Sequence, residues 1–142
     1  MMPMPSEGIN KLLTRAYCMD LRLIAFVAAG GAIGAVARYL LQQWIPSDTM
    51  PWGTMAANLV GSFLLGAMFG AIAAGSVLSE ETVLLLGTGV LGAFTTMSTF
   101  AVDAIRIGDD NPSNSITMAL ITVVGSIGLA WVGWRLTAAI MA

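Results

Sequence analysis

Charge is what this sequence has least of. Asp, Glu, Lys and Arg make up only 10% of its 142 residues, against about 25% in an ordinary soluble domain. That is too little to coat a water-facing surface, so the outside of the folded chain must face lipid. Histidine is absent and Cys18 is the lone cysteine. One cysteine cannot build an internal disulfide framework. Without His or a Cys pair, a zinc or copper site is not expected. The few basic residues are scattered and the formal net charge is -2, which argues against nucleic acid, whose recognition needs a clustered basic face. The middle of every long apolar run lacks Asp, Glu, Lys and His, the groups on which proton-coupled pumps rely. Ser and Thr occur with no His to activate them, so an enzyme is not expected either.

What is there is apolar. Hydrophobic residues make up 57% and the mean hydropathy is +0.83. Four runs stand out, at 23–41, 55–74, 82–102 and 116–134. Each is close to the ~20 residues that cross a bilayer core. The expectation is an all-α, multi-pass protein of the cell membrane. Residues 1–20 form a polar tail with no secretory cleavage site, in which Lys11 and Arg15 would share one face of a short surface helix. Residues 21–142 form the membrane domain. The connecting loops are expected at 42–52, with Pro46, Asp48 and Pro51, at Ser79-Glu80-Glu81, and at 108–115, with Asn111 and Pro112. Ser79 suits the N-cap of the third span, and the two glutamates suit the positive end of its dipole. Trp44, Trp52, Trp131 and Trp134 fall near span ends, as interfacial anchors do.

Four spans place both termini on one side. That side carries Lys11, Arg15, Arg22 and Arg135, and the other carries Arg38 and Arg106. Discounting the distal tail leaves two against two. The positive-inside rule needs a bias, and a chain without one can insert both ways. Alternatively, Lys11 and Arg15 set a single orientation.

Polar residues within the spans mark where chemistry could sit. Gly30 and Gly34, then Ser62, Gly66 and Gly70, recur every four residues and let helices approach closely. Thr54, Asn58 and Ser62 form a polar stripe on the second span. An Asn at that depth either bonds to a neighbouring helix or lines a wet cavity. In the third span, Thr95, Thr96, Ser98 and Thr99 crowd together after Gly87, Gly89 and Gly92. Hydroxyl side chains that compete for backbone groups, following glycines, favour a helix break. A break at this depth survives only inside protein or beside an aqueous cavity. Thr122 and Ser126 give the fourth span a weaker hydroxyl face, with Ser126 expected to bond back to its own helix.

Three patterns, GG-x-x-GA-x-x-RY at 30–39, GT-x-x-x-N-x-x-GSF at 53–63 and TT-x-STF at 95–100, with Gly125-Ser126, resemble the Fluc/CrcB fluoride channel family from about residue 21 onward. The resemblance implies passive fluoride export that relieves toxicity, by a dual-topology antiparallel homodimer with two narrow pores. It implies a structural sodium ion held by the backbone carbonyls of Gly92 and Thr95. It places Asn58, Met97, Ser98, Thr99, Phe100 and, in the fourth span, Thr122 along the fluoride pore, and Arg38 in the vestibule. Asp103 stands where many members have Glu. Met97 stands where the family usually has Phe, and Met118 where some members have Tyr. Such a channel needs no partner beyond fluoride, a second copy and membrane lipid. One competing reading is a small dual-topology multidrug-type exporter, which would share the size and charge balance but should need an embedded acidic residue; another is a structural subunit without transport, which would explain the small-residue packing but not the polar clusters at Asn58 and at 95–99.

Overall fold

A computed structural model of the chain describes residues 20–45 and 49–141. The tail with Lys11, Arg15 and Cys18, and the loop residues Pro46 and Asp48, lie outside the described residues. Among the described residues all regular structure is helical. Helix α1 runs Leu21–Trp44 and α2 runs Trp52–Ala73. Helix α3 joins Glu80–Val83, a π-helical stretch Leu84–Leu91 and Gly92–Phe94. Helix α4 is Met97–Asp110 and α5 is Pro112–Met141. Four spans, with α3 and α4 together making the third, are long and apolar enough to cross a membrane.

The ends follow their local chemistry. Asp20 accepts from the Arg22 N–H and caps α1. Ser79 accepts from the Thr82 N–H with Glu80 and Glu81 in the first turn, as expected. Helix α2 stops at Gly75, whose φ of 97° a side chain would resist. There Ser76 N–H donates to Ala71 O and Gly75 N–H to Ile72 O, the paired bonds of a Schellman stop.

The expected loop over 108–115 is corrected. Helix α4 continues to Asp110 and α5 begins at Pro112, leaving Asn111 alone between them. Asn111 Oδ1 accepts from Ser113 Oγ and the Asn114 N–H. An Asn cap followed by Pro at the first helical position starts a helix without a linker. Helix α5 is also longer than its apolar run. Its 30 residues span ~45 Å, more than the ~30 Å of a hydrocarbon core.

Glycines set the packing. A Cβ at Gly30 would strike Leu85 O and one at Gly34 would strike Val90 O, so α1 lies directly on the π-helical backbone. Gly66 lies against Ala130 and Gly70 against Trp134, so α2 and α5 run parallel and in step. Arg22 and Glu81 pair at 3.3 Å between the starts of α1 and α3.

Candidate functional site

The third span breaks at Thr95 and Thr96, which are extended (ψ 154°; φ -151°, ψ 113°). The last bond of α3 runs from Thr95 N–H to Leu91 O, and Thr95 Oγ1 donates to the same carbonyl. On the other side Thr96 caps α4, its Oγ1 accepting from the Thr99 N–H. The hydroxyl cluster competes with the helix as its sequence suggests.

Two helices hold the break. From α2, Asn58 is nine-tenths buried and faces the Thr96 backbone: Thr96 N–H donates to Oδ1 at 2.7 Å, and Nδ2 donates to Thr96 O at 3.1 Å. Of the two roles open to an Asn at this depth, the interhelical bond is present. The second N–H of Nδ2 remains available. From α1, Arg38 Nε donates to Ala93 O at 3.2 Å and Nη1 to Thr99 Oγ1 at 3.5 Å. A cation at the C-terminal end of α3 offsets that helix's dipole. Thr99 Oγ1 also accepts from Thr96 Oγ1, which leaves its own proton free to donate.

Two carbonyls thereby lose their helical donors. The N–H that would reach Gly92 O belongs to Thr96 and goes to Asn58. The N–H that would reach Thr95 O belongs to Thr99 and goes to Thr96 Oγ1. Gly92 is exposed on the single chain and Thr95 half-buried.

Beyond the break lies a cavity of about 620 Å³, lined by Gln42, Thr54, Thr99, Asp103, Arg106 and Asn114 among others. In it Gln42 Nε2 donates to Thr54 Oγ1, which donates to Asp103 at 2.9 Å. Neither Gln42 nor this chain was legible beforehand, because a Gln at a helix end carries no signal of its own.

Met97 and Phe100 share α4, one turn apart, but not one environment. Met97 is 70% exposed and Phe100 only 6%, packed with Met50, Met55 and Met118. Ser98 is exposed beside Met97. Thr122 is 4% exposed and its Oγ1 has no hydrogen-bond partner. Ser126 corrects its expectation: its Oγ is buried and unpartnered, so its rotamer does not turn back to its own helix. Carrying the register of Gly66 on Ala130 back along both helices brings Ser62 level with Ser126, and Asn58 level with Thr122.

The family model for the CrcB-like protein, Camphor Resistance (CrcB), matches residues 25–134. A protein of Agrobacterium fabrum named fluoride-specific ion channel FluC is 43% identical over 117 residues, which cover 80% of this chain and 94% of that one. Relatives with the same type of name from Moorella thermoacetica and Thermotoga maritima are each 40% identical, over 77% and 75% of this chain and 91% and 87% of theirs. The matched stretch reaches into all four spans and holds every residue of the broken-helix site, and the chain is a multi-pass cell-membrane protein belonging to the CrcB-like family.

Proposed function

We propose that this chain is a fluoride channel that lets the anion leave the cell passively. The observation that carries the reading is the broken third span, at which Asn58, Arg38 and the Thr96 and Thr99 hydroxyls meet. Fluoride is small and strongly hydrated, so its lost water must be replaced by donors. The free proton of Thr99, the second Nδ2 proton of Asn58, the exposed Ser98 hydroxyl and the unpartnered Thr122 Oγ1 supply them. Buried hydroxyls without partners demand a reason, and a passing anion is one. Ser126 joins Thr122 on the same grounds. Arg38 would raise the potential at the cavity end, and the ring edges of Phe100 carry the positive part of its quadrupole.

The working unit in this reading is a homodimer of oppositely inserted copies within membrane lipid. A single chain leaves Gly92 and Met97 uncovered. Freed carbonyls facing hydrocarbon cost several kcal/mol each, and a second copy covers them. The residues also suit a sodium ion. Gly92 and Thr95 offer carbonyl oxygens, a donor type that suits hard cations, and two copies double the set. When bound, the ion would supply a fixed positive charge near the anion path.

Fluoride efflux from liposomes containing only the purified chain is the test. Efflux that needs no proton gradient is expected. No efflux, with export of organic cations driven by a proton gradient instead, would favour the exporter reading and give Asp103 its acidic role.

A further inference from the structure

Asn58 does more than offer a donor to a passing anion. Both its polar atoms engage the backbone of one residue, as a neighbouring β-strand would, and Thr96 is extended to receive them. Gly61, on the same face of α2, makes this approach feasible, since a Cβ there would strike the Thr95 methyl. In an unbroken helix the Thr96 N–H would bond to Gly92 O. Here it is the shorter of the two bonds to Asn58, at 2.7 Å. With Thr96 held extended, its hydroxyl is placed to take the Thr99 N–H at 3.2 Å, which strips Thr95 O of its donor as well. Two carbonyls three residues apart on the third span are thus released by one side chain on the second.

We propose that Asn58 is a positioning residue for the cation: it keeps the third span open and so presents the Gly92 and Thr95 carbonyls. This rests on the reading of those carbonyls as sodium ligands. It is independent of any contact between Asn58 and fluoride. The physical logic is competition for one N–H. Remove the Asn58 acceptor, and Thr96 N–H can return to Gly92 O, restoring a helical bond and withdrawing a ligand. Cation binding then has to reopen the helix, and the affinity falls by the worth of that bond.

The experiment is a sodium titration of thermal stability on the purified full-length protein, with choline holding the ionic strength constant. Wild type should gain stability with sodium and not with choline. Asn58→Leu, isosteric and without an acceptor, should need about tenfold more sodium, the size of one hydrogen bond to the backbone, and should approach wild type when sodium is high. Asn58→Ala serves the same comparison if the leucine variant does not fold. A Leu or Ala variant that loses stability equally in sodium and choline, with its sodium midpoint unchanged, overturns the proposal and leaves Asn58 a packing residue. A wild-type protein indifferent to sodium overturns the cation reading itself, which the fluoride efflux assay does not depend on.

Discussion

At the scale of single residues, one side chain here can serve two purposes, and substitution separates them. Asn58→Asp retains the acceptor that Thr96 N–H uses but replaces the donating Nδ2 with an oxygen. It removes the N–H available to an anion and sets an oxygen against Thr96 O. Fluoride flux in liposomes should collapse while the protein still folds and assembles; unchanged flux would take Asn58 out of the path. Met97 and Phe100 form the second pair. Phe100 is enclosed by Met50, Met55 and Met118, so Phe100→Ile removes both a ring edge and packing volume. Throughput should fall strongly, with a stability loss of about 1–2 kcal/mol in detergent. Met97 is mostly exposed on the chain, and Met97→Phe restores the residue the family usually carries, so efflux should persist. If Phe100→Ile conducts normally and Met97→Phe does not, the anion takes another route.

At the scale of elements, the third span is built to be irregular twice. The π-helical turns of 84–91 contain Gly87 and Gly89, and α1 settles on them through Gly30 and Gly34. π-helical turns gather at functional sites, and these end one residue before Gly92. Gly34→Ala would place a methyl into the Val90 carbonyl, with only backbone to yield. A loss of about 1–3 kcal/mol, or failure to recover folded protein, is expected by thermal denaturation in detergent. Gly31→Ala is the control, since nothing lies within 4 Å of its added Cβ. It should be neutral or slightly stabilising, because Ala favours helix over Gly. The α4–α5 junction depends on one cap. Asn111→Ala loses both bonds to Oδ1 and should cost about 1 kcal/mol, read as a fall in melting temperature.

At the scale of the whole molecule, the spans bury little of themselves. Between 11% and 33% of each span's apolar window is buried within the chain, so most of the outer surface must meet lipid or a second copy. The near-balanced flanking charge permits insertion both ways. In a Cys18→Ala background, Ser79→Cys lies at the α2–α3 turn. An impermeant thiol reagent should then label about half of the protein from each side of intact cells and inverted vesicles. Labelling from one side alone would mean that Lys11 and Arg15 orient the chain, and the antiparallel dimer would fall.

Span number, apolar character and the absence of embedded acid–base groups were all readable in the order of residues, because they depend on composition over about twenty positions and on local helix chemistry. So was the break at Thr95 and Thr96, since hydroxyls that rob a helix of its donors act within one turn. Ser79 began its helix by equally local means. Three things only the tertiary structure decided. Whether Asn58 met water or a backbone depended on the distance to Thr96, thirty-eight positions away in sequence, and on Gly61 letting the helices close. Ser126 Oγ is buried without a partner, and burial among neighbouring helices is nothing that a window along one helix contains. Phe100 and Met97 parted because burial belongs to the packed bundle: two residues one turn apart share a helix, but the neighbours that cover one of them come from α5 and from the start of α2.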